Sequence, residues 1–496
     1  MEGPTALIIL DGFGRGVAGK YNAIVAAQMS HYTSWLENYP HTLLQASGAA
    51  VGLLPGMAGN SLVGHMTIGS GRIVPQPVLR IHESIVDGSF FKNELLRKHM
   101  AQLRASNGTL HLMGLLSDGG NHSHEELLHA LIRLAAAEGL TKVVVHAFLD
   151  GRDAPPRSAA VYLEKLDQIF AETGVGVLGT VHGRSFAMDR TEHMELIQRS
   201  FDVLTQATPV QFHAWQPLLA HYYKEGLTDD LIPPQALGEQ QYIVDGDGLI
   251  FFNIRADRAR ELTRMFLDAP HPQLLWFMTA IAYHQSFGLP TLLKPMAVAH
   301  GLLDVLRSNK VTMGTFAESE KYAHITYFFE GGRELINFHD LYVIVPSVSP
   351  QEVKVHPQLS AGMLTDFLLC SLRTAPREFY LINYANADMV GHTGDFTATV
   401  VALQYLDREL YRLYEEIVIK QRGTIYLTAD HGKAEYMYDE QTEQPFTAHT
   451  TNPVPFILIN EKFRDQRMEL PLTGLADIAP FILKQWGLPV PSEMEQ

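Results

Sequence analysis

The chain has 496 residues, 46% of them hydrophobic, which is enough for a large core and, at roughly 100–200 residues per domain, for more than one domain. Its 38 basic and 54 acidic residues leave a formal charge of −16, which argues against general nucleic-acid binding. No apolar run approaches the roughly 18 residues of a membrane span, and the single cysteine, Cys370, excludes an intrachain disulfide and suits a reducing, cytoplasmic compartment.

In chain order, the first predicted strand is Thr5–Leu10, an apolar run that stops at Asp11; no signal peptide is expected there. A Gly-rich segment follows, with Asn60 and Ser61 between Gly59 and Gly64, and a helix is expected to start near Ser61. Pro75–Pro77 reads as a hinge. Strands are then expected over Thr109–Leu116, Lys142–Leu149, Val175–Val181 and Gly248–Ile254. Between the first two lies a legible helix. Ser123 and Glu126 form a capping box, Leu127, Leu128, Leu131 and Leu134 build one face, and Gly139 supplies the stop. Ser308–Val311 reads as a second hinge. The remaining strands are Leu341–Val345, Phe379–Tyr384, Gly423–Thr428 and Pro455–Ile459. Such alternation predicts an α/β protein with largely parallel sheets. The two hinges make residues 76–310 a domain inserted between 1–75 and 311–496.

Polar residues gather where the strands end. Asp11 follows the first strand, Asp388 and His392 follow Phe379–Tyr384, Asp430 and His431 follow Gly423–Thr428, and His449 precedes the last. Three Asp and three His in one sheet region repel or go unsatisfied without a cation, so a pair of divalent ions is expected. The Gly-rich segment matches neither a nucleotide P-loop nor a G-x-S-x-G elbow. Its Ser61 is the candidate nucleophile, and a serine hydroxyl needs a base or a metal to be one at neutral pH. The middle of the chain carries His122, Arg152, Asp153, Arg184, Arg190, Arg255 and Arg258 in loops after strands, a set suited to capturing phosphate and carboxylate. Lys321, in AESEKYAH, adds a cation past the second hinge.

These segments together resemble the cofactor-independent phosphoglycerate mutases, from LIILDGFG to HTTNPVPFI, through GNSLVGH, LLSDGGNHSH, LDGRDAPP, AMDR, FFNIRADRAR, EKYAH, DMVGHTG and TADHG. The resemblance implies an alkaline-phosphatase-like α/β domain interrupted by a second, transferase-like α/β domain. It implies interconversion of 3-phosphoglycerate and 2-phosphoglycerate through a phosphoserine at Ser61, with no bisphosphoglycerate cofactor. Asp388, His392 and His449 would hold one metal, and Asp11, Asp430, His431 and the Ser61 oxygen the other. Mn²⁺ is the first expectation, with Mg²⁺, Co²⁺ and Zn²⁺ as alternatives. His122, Arg152, Asp153, Arg184, Arg190, Arg255, Arg258 and Lys321 fall on the family's substrate positions, with Asp153 as general base or acid. The expected partner is the small phosphoglycerate alone, with no nucleic acid and no membrane, in a monomeric cytoplasmic enzyme. A phosphatase or phosphopentomutase with the same metals is the alternative. The chain departs from the family pattern at Leu62, where Glu is usual, at Lys433, where Asn is usual, and in the stretch after Arg190.

Overall fold

The computed structural model describes residues 3–495 apart from 190–192, 239–240, 295, 297, 334–336, 338, 350 and 441–442. The first part of the chain forms β1 (Thr5–Leu10) and β2 (His41–Leu44). Then come β3 (Leu110–Leu116), β4 (Val143–Leu149), β5 (Val177–Gly183), β6 (Gln235–Ala236), β7 (Gly248–Phe251) and β8 (Trp276–Thr279). The last part forms β9 (Met313–Glu318), β10 (Leu341–Val345), β11 (Phe379–Tyr384) and β12 (Thr424–Thr428). A small hairpin of β13 (Tyr438–Asp439) and β14 (Gln444–Pro445) precedes β15 (Val454–Ile459).

The chain divides into two compact units, Met1–Gln76 with Met296–Gln496, and Pro77–Pro295. The second division therefore falls at 295/296, ahead of the expected hinge at Ser308–Val311. Residues Leu302–Ser308 are a helix of the larger unit with Leu302, Leu303 and Leu306 buried. The polar run after it, which reads as a linker in sequence, is the helix terminus leading into β9.

The larger unit holds a seven-stranded sheet in the order β10-β9-β11-β1-β12-β15-β2. The first five strands are parallel, and β15 runs antiparallel to both β12 and β2. Central β1, β11 and β12 are buried at every position, as their unbroken apolar runs require of strands covered on both faces. Register aligns their carboxyl ends: Leu10 pairs with Tyr384 and Ile9 with Thr428. One edge of the sheet thus collects the segments that begin at Asp11, Ala385 and Ala429.

The smaller unit holds a six-stranded sheet, β6-β5-β4-β3-β7-β8, parallel except for the short edge strand β6. Phe148, Phe201, Phe251, Phe266 and Tyr283 fill its core. Its strands β3, β4 and β5 end together at Leu116, Leu149 and Gly183. The structure shifts β5 two residues beyond the sequence expectation and ends β7 three residues early, because Phe252–Ile254 already turn into the site loop. The helix at Glu125–Ala137 is capped by His124, whose ring accepts from the Glu126 N–H at 3.4 Å. Ser123, the expected cap, takes no part in that bond. Glu126 instead contacts His82, at 2.8 Å.

Candidate active site

The nucleophile candidate opens a helix, Ser61–Ser70, whose first turn is tied by the Asn60 side chain accepting from the Val63 N–H. Glycine at position 64 lets this helix press against the Asp430 loop; a Cβ there would collide with the Asp430 carbonyl. The Ser61 hydroxyl is buried and lies 3.1 Å from Asp11 Oδ1, 3.1 Å from His431 Nε2 and 3.0 Å from Lys321 Nζ. Asp11 hangs from the end of β1, its N–H bonded to the Tyr384 carbonyl of β11 at 3.0 Å. Asp430 Oδ1 accepts from the Gly12 and His431 N–H groups, at 3.1 and 3.0 Å, which locks the β1 and β12 loops together.

The three histidines share one arrangement. Nδ1 of His392 faces the Thr447 carbonyl at 2.9 Å, that of His449 faces the Gly59 carbonyl at 2.9 Å, and that of His431 faces the Gly432 carbonyl at 3.3 Å. A carbonyl only accepts, so each Nδ1 carries a proton, and in the neutral ring, the form that binds an ion, Nε2 then presents a lone pair. These lone pairs converge on carboxylates. Nε2 of His392 and of His449 stand 3.0 Å apart, and 3.0 and 3.3 Å from Asp388 Oδ1. Asp388 Oδ1 and Asp430 Oδ2 nonetheless have no hydrogen-bond partner among the described residues. Acceptors packed against acceptors in a buried place are the donor set of a cation. Asp388, His431 and His449 can hold one ion and Asp11, Asp430 and His431 another, with His392 on the first group's flank and Ser61 on the second's.

The electrostatics agree. Burial opposes the charge on Asp11 and Asp388, yet Lys321 beside Asp11, and His392 and Lys321 beside Asp388, hold both carboxyls well below the usual range. Burial likewise opposes a charge on His431, but Asp430 and Asp11 overcome it and push its pKa up to about 9. Carboxylates that draw a proton so strongly would also draw a metal. Behind them, His65 Nδ1 donates to the Ser61 carbonyl at 2.8 Å, and its Nε2 accepts from Asn383, which also bonds Asp11 Oδ2 at 2.9 Å. Sequence reading missed this pair. His65 was findable four residues after Ser61 in the same helix, whereas Asn383 lay hidden inside an apolar strand.

In the smaller unit, the loops after β3, β4, β5 and β7 bring most of the expected polar set together. Arg184 is buried and donates to Asp150 at 2.5 Å and to Asp153 at 2.7 Å. Asp153 also accepts from Asn121 at 3.3 Å, and Asn121 accepts from Arg255 at 2.9 Å. Burial alone would raise the Asp153 pKa, but Arg184 brings it below the ordinary value. His122 is pushed down to about 3 by burial and by Arg255 and Arg184, so it is a neutral imidazole. Arg152 pairs with Asp230 at 3.0 Å, and Arg258 donates to the Met188 carbonyl at 3.2 Å. Arg190 lies outside the described residues. Lys321 lies in the larger unit, at the nucleophile. Asp150 and Asn121 were not anticipated, although Asp150 directly follows a strand.

Two departures from the expected motifs find a structural account. Leu62 packs into an apolar cluster with Met66, Val74 and Val298. Lys433 is buried, donates to the Phe446 carbonyl at 3.1 Å and is pushed down to about 8 by burial.

A family model for the BPG-independent PGAM N-terminus matches residues 81–285. The 2,3-bisphosphoglycerate-independent phosphoglycerate mutase of Legionella pneumophila strain Philadelphia 1 is 39% identical over 500 residues, spanning 99% of this chain and 96% of the relative. That of Syntrophotalea carbinolica is 40% identical over 504 residues, spanning 99% and 97%. Among solved structures, Leishmania mexicana phosphoglycerate mutase at low cobalt concentration superposes with a TM-score of 0.82 at 27% identity, covering 99% of this chain and 96% of that one.

Proposed function

The chain belongs to the 2,3-bisphosphoglycerate-independent phosphoglycerate mutase family, and from that premise we propose how its residues interconvert 3-phosphoglycerate and 2-phosphoglycerate. The observation that carries the proposal is the Ser61 hydroxyl, buried at a helix start and touching Asp11, His431 and Lys321 at once.

Asp388, His392 and His449 would hold one divalent cation, and Asp11, Asp430, His431 and the Ser61 oxygen a second; Mn²⁺ is our first assignment and Mg²⁺, Co²⁺ or Zn²⁺ the alternatives. Such ions would supply charge neutralisation and a lowered pKa for the serine hydroxyl. Ser61 Oγ attacks the phosphorus of the bound substrate in line: the serine O–P bond forms and the bond from phosphorus to the glycerate oxygen breaks. Lys321, already beside Ser61 Oγ, donates to the phosphoryl oxygens as their charge shifts. Arg184 and Arg255 hold the glycerate carboxylate, with Arg152, Arg190, Arg258 and neutral His122 as further polar contacts. In the first half-reaction the proton given up by Ser61 ends on the glycerate oxygen that leaves, with Asp153 as its carrier. In the second, Asp153, ionised beside Arg184, accepts the proton of the glycerate hydroxyl that attacks phosphoserine, and that proton ends on the Ser61 oxygen as it leaves phosphorus. The second attack regenerates Ser61 and delivers the isomer.

No helix among the described residues is long and apolar enough to cross a membrane. We assign a monomeric, cytoplasmic enzyme whose only partner is its substrate.

Ser61→Ala tests this reading. The variant should lose mutase activity, assayed without added bisphosphoglycerate, while still binding metal through Asp388, His392 and His449. In the unaltered protein, labelled phosphate on 3-phosphoglycerate should reach 2-phosphoglycerate through phosphoserine without mixing with phosphate in solution. Release of free phosphate as fast as substrate is consumed would identify a phosphatase and overturn the assignment.

A further inference from the structure

Glu435 is buried, close behind the ligand-bearing loops, and touches neither the nucleophile nor any of the proposed ligands' side chains through a hydrogen bond. Its carboxylate accepts four donors. Oε2 takes the Gly14 N–H at 3.1 Å and the Lys433 N–H at 2.7 Å. Oε1 takes the Asn452 side-chain amide at 3.0 Å and the Thr450 hydroxyl. A carboxylate has about four lone-pair sites, so this one is filled by donors of the right kind and number.

The four donors come from three separate segments, and each segment carries a ligand. Gly14 follows Asp11 by three residues, Lys433 follows His431 by two, and Thr450 adjoins His449. Backbone bonds stitch the same segments at their margins: Ala434 N–H to the Gly12 carbonyl at 3.0 Å, and Thr450 N–H to the Gly432 carbonyl at 3.0 Å. The packing leaves no slack. A Cβ on Gly432 would collide with both Thr450 Oγ1 and Glu435 Oε1. We propose that Glu435 is a positioning residue that fixes the Asp11, His431 and His449 loops relative to one another, so that their donor atoms converge before any ion arrives.

The reasoning is chemical. Lys321 bridges Asp11 and Asp388, and Asp430 ties the β1 and β12 loops, but of these groups Glu435 is the one that draws donors from all three ligand-bearing segments at once. A carboxylate facing only donors does this without competing for the ion. Glutamine is isosteric but offers one acceptor oxygen and one NH₂, so at position 435 it sets an N–H against two existing donors. The loops would then splay, and the cost would appear as metal affinity.

The inference rests on the reading of this site as a metal centre, and the experiment separates the two. Mn²⁺ binding is titrated to the metal-stripped full chain, unaltered and as Glu435→Gln, alongside thermal unfolding of the metal-free forms and turnover at saturating Mn²⁺. Glu435→Gln should raise the Mn²⁺ dissociation constant about tenfold or more, the usual effect of losing an outer hydrogen-bond partner, with turnover at saturating Mn²⁺ within about threefold of the unaltered enzyme. An unchanged dissociation constant overturns the inference, whether or not the melting temperature falls. If Glu435→Gln does not fold, Asn452→Ala carries the test. It removes one donor of the four and should weaken Mn²⁺ binding by a smaller factor; unchanged binding again overturns the proposal. An unaltered chain that binds no Mn²⁺ overturns the metal reading itself.

Discussion

Lys321 Nζ stands 3.0 Å from the Ser61 hydroxyl while bridging two carboxylates, 2.7 Å from Asp11 Oδ1 and 2.6 Å from Asp388 Oδ2. Burial disfavours its charge, but Asp11, Asp388 and Asp430 outweigh that and raise its pKa well above the ordinary value. It therefore stays a cation, and in the proposed reaction it would meet charge that develops on a phosphoryl group. Such a group also competes with metal for the same oxygens.

Lys321→Met should consequently separate two effects. Turnover should fall by about 10²–10³, the scale of losing a preorganised donor to transition-state charge. Mn²⁺ should bind at least as tightly as before, because a rival cation has gone. Steady-state kinetics together with a Mn²⁺ titration checks both. A variant whose lost turnover is explained by lost metal would remove Lys321 from the chemistry.

Metal removal should act on stability as well as on rate. Without a cation, Nε2 of His392, Nε2 of His449 and Oδ1 of Asp388 crowd together at 3.0–3.3 Å inside the protein. An ion present at 100 times its dissociation constant contributes about 2.7 kcal/mol, which for a chain of this size is a shift of roughly 3 °C in melting temperature. Chelation should lower the calorimetric midpoint by that order and abolish turnover, and Mn²⁺ should restore both. Full activity in a demonstrably metal-free sample is the contrary result.

Arg184 and Arg255 carry the same charge but should fail differently. Arg184 is buried between Asp150 and Asp153, so Arg184→Ala leaves the buried Asp150 carboxylate without its cation, at a cost of about 3–5 kcal/mol. Arg255 is 38% exposed and pairs with Asp257 at 3.0 Å, an arrangement worth about 1 kcal/mol or less. Both substitutions should raise KM for 3-phosphoglycerate, and only Arg184→Ala should lower the urea midpoint markedly. Equal stability of the two variants would mean that Arg184 is not the keystone of its loops.

How much of this was legible in the sequence depends on where each signal lay. Buried parallel strands such as Thr5–Leu10 and Phe379–Tyr384 announce themselves as unbroken apolar runs, and the polar residues just past their ends mark the site. Two strands of the same sheet do not: edge strand His41–Leu44 is half exposed and short, and β9, buried between β10 and β11, breaks its apolar run with Gly314, Thr315 and Glu318. The Ser123 cap was misread because His124, one residue on, has a ring nitrogen able to do the same work. That Lys321 lies at Ser61 is not legible along the chain, since only the tertiary fold brings together residues 260 apart in sequence. Glu435 and Asn383 were invisible for the same reason: their partners are assembled by the sheet and have no fixed spacing along the chain.

The smaller unit should also be acid-sensitive, through a buried row of histidines. His111 Nε2 faces Asp247 Oδ2 at 3.1 Å, so it carries the proton, and His111 Nδ1 accepts from His146 Nε2 at 2.9 Å. His146 Nδ1 in turn accepts from the Thr180 hydroxyl at 2.9 Å, and the Thr180 oxygen accepts from His182 Nε2 at 2.7 Å. One carboxylate thus sets every tautomer in the row. Burial pushes His182 down to about 3 and His146 well below its ordinary value, the latter helped by His111 and His182. The unfolded chain takes up protons at these positions as pH falls through about 6.5, and the native chain does not. Stability is therefore fully present above that pH and declines on acidification, by about 1.4 kcal/mol per pH unit for each histidine. Urea midpoints of the metal-free chain should fall between about pH 7 and pH 5, and His182→Gln, which removes one of the two proton-binding sites, should fall less steeply. A midpoint that stays flat across that window would mean the row is already protonated in the native state, and the tautomer assignment would go with it.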